Sequence, residues 1–267
     1  MKRALAILLL SSLCAVADAP KRSGHATAQW LVAGQEEGVI KTIVRLVVDD
    51  PWHVYWYNPG EAGMETSAEH KLPEGWKATQ LLHPVPKRFK TGELHGFGHE
   101  GTVDYGLNIT MPEGFKGNAE LETNITWLSC NNDACIPGEM MLKLKVVDGK
   151  VVGPKIEAEA YAAATARFPY THGPADKGSL WFQSGKNRWE MVVQNGDSLD
   201  MDLAKAEVFI ETPELVPASA NVKFKKSGTL WTGLFPRGEF APQKPDECTI
   251  VLVDKGKKPL RLVWKRK

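Results

Sequence analysis

The sequence has few cysteines, almost no net charge and no apolar run long enough to cross a membrane. Its 267 residues include four cysteines and carry a formal net charge of +1. No basic stripe is present, which argues against a nucleic-acid partner. After the N-terminus, no stretch approaches the roughly 18 apolar residues of a spanning helix. We therefore expect no nucleic-acid partner and no membrane span.

Motifs of several common enzyme classes are also missing. The sequence shows no Ser/His/Asp set, no glycine-rich phosphate loop and no arrangement of paired carboxylates. The cysteines lack the C-x-x-C spacing that is typical of zinc sites and of thioredoxin-like redox helices. We therefore expect no organic cofactor and no bound metal.

The N-terminus has the pattern of a secretory signal peptide over residues 1–19. Lys2 and Arg3 form a basic start, residues 4–16 form an apolar segment, and Ala17-Asp18-Ala19 is a cleavage site of the A-x-A type. Removal of this leader leaves a mature chain with a net charge of about zero. We expect an exported, soluble protein in an oxidising compartment.

Short apolar runs separated by turn residues dominate the rest of the chain. Residues 28–48 alternate apolar and polar positions. Further strand candidates are 65–71, 76–83, 102–111, 118–129 and 139–147. Short strands at this spacing are typical of an antiparallel β-sandwich.

One segment has helical character, and strand patterns resume after it. IEAEAYAAATARF, residues 156–168, is rich in alanine and glutamate and ends before Pro169. The predicted fold class is all-β, with two antiparallel β-sandwich domains joined by a short helix and linker. The predicted parts are a signal peptide at 1–19, a sandwich with the cysteine pair at 20–150, helix and linker at 151–176, and a second, smaller β-domain at 177–267.

WLSCNNDACIPGE, residues 127–139, places Cys130 and Cys135 on either side of a short turn. Asn131 to Asp133 are turn-forming residues, so a disulfide is geometrically easy. Its six-residue ring adds only about 2 kcal/mol in the chain-entropy model, against about 4–5 kcal/mol for a loop near a hundred residues. Three interpretations remain open.

These interpretations are a structural disulfide, a reversible thiol pair, and a zinc site. The zinc site would recruit histidines from His83, His95 and His99. Because Cys14 lies in the predicted leader, three cysteines remain in the mature chain, and Cys248 is the one outside the pair. Its position at the start of CTIVLV favours a buried free thiol.

An aromatic segment, WHVYWY at residues 52–57, has two interpretations. Alternate aromatic side chains of a strand pack a sandwich core, which we favour. The alternative is a carbohydrate-stacking surface made by Trp52, His53, Tyr55, Trp56 and Tyr57.

Five motifs in order resemble the N-terminal periplasmic domain of the disulfide reductase DsbD and its ScsB-type relatives. They are WHVYWYNPGEAGMET, LPEGW, HPVPKRF, FGHEG and WLSCNNDACIPGE, and the resemblance covers roughly residues 25–148. The helix at 156–168 and the β-region after it also resemble such relatives. The resemblance implies an immunoglobulin-like fold, a periplasmic location and a redox-active disulfide Cys130–Cys135.

The resemblance also implies partners and residue roles. The pair would take electrons from a membrane-embedded thiol donor and pass them to thioredoxin-like periplasmic proteins, with Cys135 as the attacking cysteine. A flexible segment at 93–99, with His95, Phe97 and His99, would cap the pair. Since this chain shows no multi-spanning region and no C-x-x-C, the donor would be another polypeptide.

Two functions of different class therefore remain. One is a thiol:disulfide oxidoreductase module. The other is a non-redox exported binding or assembly module, for a protein or a glycan, in which the hairpin disulfide is static.

Overall fold

The computed structural model of the protein describes residues 21–171, 180–184 and 188–266. The predicted signal peptide and residues 172–179 of the predicted linker lie outside the described residues. Within the described residues, four sheets account for most of the chain and no helix is long and apolar enough to span a membrane. The all-β prediction is confirmed.

The N-terminal β-region, residues 21–152, consists of twelve strands. They are β1 (Lys21–Ser23), β2 (Ala26–Glu36), β3 (Val39–Val48), β4 (His53–Gly60), β5 (Ser67–Lys71), β6 (Lys77–Ala78), β7 (Lys87–Thr91), β8 (Leu94–Glu100), β9 (Thr102–Thr110), β10 (Ala119–Cys130), β11 (Cys135–Val147) and β12 (Lys150–Val152).

These strands form two sheets that face each other as an immunoglobulin-like sandwich. One has the order β1-β2-β3-β9-β6, and the other the order β12-β11-β10-β4-β8-β7, with β5 paired to β10. Side chains along β10 alternate between buried and part-exposed, because successive residues of a strand point to opposite faces. The inward set meets in one core that includes Trp30, Tyr105 and Trp127.

The C-terminal β-region, residues 170–266, follows helix α1 (Ala158–Thr165). Its strands are β13 (Tyr170–Thr171), β14 (Leu180–Ser184), β15 (Arg188–Gln194), β16 (Glu207–Ile210), β17 (Lys225–Ser227), β18 (Leu230–Pro236), β19 (Glu247–Val253) and β20 (Leu260–Lys265). They form the sheets β13-β20-β19-β16 and β14-β15-β18-β17, antiparallel except for the short β13–β20 pair. A separate core that includes Trp189, Phe224 and Phe235 lies between them.

Helix α1 confirms the single predicted helix, but it is shorter than 156–168. Ile156 and Phe168 lie outside the helix and pack with Ala164 against Leu31 and Ile43 of the N-terminal β-region. The helix, through Ala160, Tyr161 and Ala164, and its flanking apolar residues therefore both contribute to the contact.

All but the first residue of the segment 93–99, which the resemblance implied to be a flexible cap, belong to strand β8 (Leu94–Glu100), which lies between β4 and β7. A Cβ at Gly96 would lie 2.8 Å from the Phe89 ring, and one at Gly98 would lie 2.0 Å from the Val54 carbonyl oxygen. The glycines permit close packing here, whereas the sequence suggested flexibility.

Acid should destabilise the protein through two buried histidines, His83 and His99. Burial lowers the pKa of His83 to about 3, and it lowers the pKa of His99 well below its usual value. Neither His83 Nδ1 nor His99 Nε2 has a hydrogen-bond partner among the described residues. An unfolded histidine binds a proton near pH ~6.5. The stabilisation is therefore complete above that pH and is lost as the pH falls toward the folded pKa.

We expect the free energy of unfolding, measured by urea titration, to fall from pH 6 to pH 4 by about 1.4 kcal/mol per pH unit for each of these histidines. His83→Phe retains an aromatic ring against Tyr57 and Tyr105 and should remove the part of this pH dependence that is due to His83. An unchanged slope in this variant would contradict the assignment.

Candidate functional site

The two cysteines close the longest hairpin of the structure's described part. Strands β10 and β11 pair in continuous register from Ala119–Val146 to Cys130–Cys135, the last pair before the turn. A disulfide joins Cys130 to Cys135, whose Cα atoms are 4.1 Å apart. The bond therefore links residues that the hairpin already holds opposite each other.

The turn inside this disulfide ring is held by Asn131. Its Oδ1 accepts hydrogen bonds from the backbone N–H groups of Asp133 and Ala134, each at 2.9 Å. Its own N–H donates to the Ala134 carbonyl at 3.0 Å. Asparagine favours this geometry because its side chain mimics a backbone turn. The turn thus has its own hydrogen bonds, independent of the sulfur–sulfur bond.

The two cysteines differ sharply in exposure. Cys130 is 0% exposed, and its backbone pairs on one side with Cys135 and on the other with His53 of β4. Cys135 begins β11 and is exposed, as are Ile136 and Pro137 after it. Cys135 is therefore the more accessible member of the pair.

A pocket of about 250 Å³ lies beside the turn. Its lining comes from β4, from β7, from the residue that ends β8 and from the turn: Pro51, His53, Phe89, Lys90, Glu100, Asn131, Asn132 and Asp133. One lysine and two carboxylates are among these residues. The sequence did not predict that any of these residues would line a pocket. His53 was considered only as part of the aromatic segment.

His53 supports the strand next to Cys130. Its ring centroid lies 4.0 Å from that of Phe89, and its Nε2 lies 3.2 Å from Thr91 Oγ1 and 3.3 Å from the Tyr55 hydroxyl. Burial lowers the pKa of His53, so the ring is neutral at pH 7. His53 is thus a hydrogen-bonded, uncharged side chain on the strand whose backbone pairs with Cys130.

The residues just before β2 pack across the cysteine hairpin. The Gly24 carbonyl accepts hydrogen bonds from Trp127 Nε1 at 3.2 Å and from the Ser129 hydroxyl. Gly24 has a φ of +44°, and a Cβ there would lie 2.6 Å from the Gly138 Cα. Only a glycine therefore allows this segment to lie against both strands of the hairpin.

The predicted cap residues occupy three different environments. His95 is part-exposed, and its N–H donates to Glu61. Phe97 is 2% exposed and packs against Trp56 and Phe209. His99 is 3% exposed and lies edge-on to the Tyr105 ring. Their role as a cap stays a prediction, while Phe89 and Lys90 line the pocket beside the turn. Phe89 is the last residue of the HPVPKRF motif, which entered the sequence prediction only as part of the family resemblance.

The aromatic segment at residues 52–57 packs in the interior. Tyr55 and Trp56 are buried, and the part-buried Trp52 stacks on His25 with ring centroids 3.8 Å apart. Buried rings cannot stack against a sugar, so core packing is confirmed for Tyr55 and Trp56.

The remaining alternatives concern a metal and the third cysteine. Among residues 21–171, 180–184 and 188–266, no three His, Cys, Asp or Glu side chains are grouped to hold a metal ion. Cys248 is a buried free cysteine, as predicted, and burial raises the pKa of its thiol. A raised pKa disfavours the reactive thiolate, so the candidate site consists of Cys130 and Cys135.

Single-cysteine variants should show the difference in exposure directly. In Cys130→Ser the remaining Cys135 should react with a neutral maleimide at least about tenfold faster than Cys130 does in Cys135→Ser, because burial limits access. Mass spectrometry over time gives both rates, with Cys248 as the buried internal reference. Equal rates would contradict the exposure seen in the structure.

Reduction of the disulfide should leave the fold intact. Since Asn131 and the β10–β11 ladder hold the hairpin, dithiothreitol should lower the free energy of unfolding by only about 2 kcal/mol. Urea titration followed by circular dichroism measures this difference. Loss of the strand signal on reduction would show that the bond is a structural requirement.

Comparisons with known proteins agree with this geometry. Residues 26–146 match the family model described as "Thiol:disulfide interchange protein DsbD, N-terminal". The crystal structure of the N-terminal periplasmic domain of ScsB from Proteus mirabilis is similar with a TM-score of 0.64 and 16% sequence identity, covering 90% of this chain and 93% of that chain. No curated protein sequence matches the chain significantly.

At this identity the ScsB similarity shows a shared fold, which extends over both β-regions. The family match covers the strands that carry Cys130 and Cys135. Residues 26–146 of this chain therefore belong to the family of DsbD N-terminal domains.

Proposed function

We propose that the chain is a periplasmic thiol–disulfide exchange module that passes reducing equivalents from a membrane-embedded thiol donor to thioredoxin-like proteins. The observation that carries this proposal is the exposed Cys135, bonded to the buried Cys130 across a turn with its own hydrogen bonds. Such a bond opens without loss of the fold, because the fold does not depend on it. Membership of the DsbD N-terminal family supports the same chemistry.

The exchange proceeds through a mixed disulfide. In the reduced module, the Cys135 thiolate attacks one sulfur of a partner's disulfide, and the partner's other sulfur leaves as a thiolate that takes up a proton. The Cys130 thiolate then attacks Cys135 Sγ, re-forms the internal disulfide and releases the partner's second thiol. Two electrons pass to the partner, and a donor dithiol reduces the pair again by the reverse steps.

The assignment of Cys135 as the attacking cysteine rests on exposure. The nucleophile is a thiolate that must reach a sulfur of another protein, and Cys135 is the exposed member of the pair. The buried Cys130 is placed to resolve the mixed disulfide, since it lies directly across the turn. Ile136 is 40% exposed beside Cys135 and offers an apolar contact to a docked partner.

The covering element of the pair, in this proposal, is the β7–β8 hairpin. Phe89 and Lys90 of β7 share a pocket with the turn residues, and β8 contains the predicted cap residues Phe97 and His99. The proposal also includes a cleaved leader at 1–19, export to the periplasm and the division into domains at 20–150 and 177–267. The named location of the similar ScsB domain supports the periplasmic part.

A redox titration in glutathione buffers tests the function. A midpoint potential near roughly −200 mV suits exchange with periplasmic thioredoxin-like proteins, whereas structural disulfides lie below about −300 mV. Alkylation and mass spectrometry measure the reduced fraction. A midpoint potential below about −300 mV would contradict the proposal and favour the static binding or assembly module.

A trapping experiment tests partner exchange. Cys130→Ser leaves the attacking cysteine without its resolving partner, so purified Cys130→Ser should form a lasting mixed disulfide through Cys135 with an oxidised thioredoxin-like protein. Cys248→Ser is the matched control and should leave exchange unchanged, because Cys248 is buried away from the pair. Absence of any mixed disulfide would count against exchange.

A further inference from the structure

Strand β7 has two faces with different partners. Because side chains alternate along a strand, Phe89 and Thr91 lie on one face and Arg88 on the other. Phe89 and Thr91 both contact His53, whose backbone pairs with Cys130. One face of β7 therefore covers the strand that adjoins the cysteine pair.

Arg88, on the other face, reaches into the C-terminal β-region. Its Nη1 donates to the Ala218 carbonyl at 3.0 Å, and its Nη2 donates to the Val208 carbonyl at 2.7 Å. The guanidinium carbon also lies 5.0 Å from the ring centroid of Phe97 and 5.1 Å from that of Phe209. A planar cation thus binds two backbone carbonyls and two aromatic faces at once.

A second contact joins the same two regions. Asn58 of β4 is 2% exposed and donates through Nδ2 to the Ile210 carbonyl at 2.8 Å. Val208 and Ile210 both belong to β16, the outer strand of its sheet. The edge of β16 is therefore held by donors from β4 and β7, the strands that wall the pocket beside the disulfide.

Breaking only some of the contacts of Arg88 is energetically unfavourable. Among the described residues Arg88 forms no ion pair; burial lowers its pKa, and the charge of Glu207 opposes this shift without reversing it. Arg88 is part-buried, and a part-buried charge that loses some of its hydrogen bonds without reaching water costs more than a neutral group does. Arg88 therefore favours either a docked β7 with all of these contacts or a released β7 with the guanidinium in water.

We propose that the C-terminal β-region controls access to the Cys130–Cys135 disulfide by holding β7 in place, with Arg88 as the positioning residue. This inference rests on the proposed function, since it concerns how a partner thiol reaches the pair. While Arg88 is bound, Phe89 stays at the wall of the pocket beside the turn. When the contact opens, β7 pairs only with β8 and moves away from the turn.

Arg88→Met tests the proposal, because methionine keeps an apolar stem and loses the charged donors. We expect its disulfide to be reduced by dithiothreitol about tenfold faster than in the unsubstituted protein, a factor that corresponds to about 1.4 kcal/mol. The midpoint potential in glutathione should not change, since Arg88 touches neither cysteine. If Arg88 only stabilised the fold, its loss would lower thermal stability without making reduction of the disulfide faster at an unchanged midpoint potential.

Arg237→Met is a matched control. The Arg237 guanidinium lies over the Trp189 ring at 4.4 Å and donates to the carbonyls of Ala241 and Pro242, so its chemistry resembles that of Arg88. It lies wholly within the C-terminal β-region, and its loss should leave the reduction rate unchanged. Arg88→Lys, which keeps the charge but loses the planar fork, should give an intermediate rate.

The outcomes separate this inference from the proposed function. A potential in the exchange range with equal rates in Arg88→Met, Arg88→Lys and the unsubstituted protein would overturn the inference alone. A faster Arg88→Met with a potential in the structural range would support the inference and overturn the function. If the variants do not fold, hydrogen exchange of the unsubstituted protein decides: amides of β7 and β16 should open together, and independent opening of β7 would overturn the inference.

Discussion

The β10–β11 hairpin, closed by the hydrogen bonds of Asn131, is the constraint on which the candidate site depends. Its strand ladder and turn hydrogen bonds place Cys130 and Cys135 opposite each other independently of the sulfur–sulfur bond, so we expect the same arrangement in the reduced protein. A ring of six residues restricts the unfolded chain only slightly. The disulfide is therefore free to serve chemistry, because the ladder and the turn supply the local stability.

The difference in exposure between the two cysteines follows from their places in the sheet. Cys130 ends an inner strand with neighbours on both sides, whereas Cys135 begins the next strand at the rim of the sandwich. In the proposed exchange, this asymmetry gives the attacking step to Cys135 and the resolving step to Cys130. His53 lies on the strand whose backbone pairs with Cys130, where burial keeps its ring neutral and its nitrogen is occupied by Thr91 and Tyr55.

The C-terminal β-region gains a physical role through the edge of β16. Its carbonyls at Val208 and Ile210 bind Arg88 and Asn58, and these residues belong to the strands beside the cysteine pair. The part-buried Arg88 guanidinium lies between the two β-regions and binds carbonyls of the second. The contact joins the interface between the two β-regions to the wall of the pocket beside the turn.

The all-β class, the helix near residue 160, the turn between Cys130 and Cys135, and the buried state of Cys248 could all be predicted from the amino-acid sequence, because alternation, turn residues and local spacing are properties of neighbouring residues. That residues 94–100 form a paired strand became visible only in the folded protein, since the ring of Phe89 and the backbone of β4 explain Gly96 and Gly98. The roles of Phe89 and Arg88 were also hidden, because each depends on residues far away in the chain that only folding brings into contact.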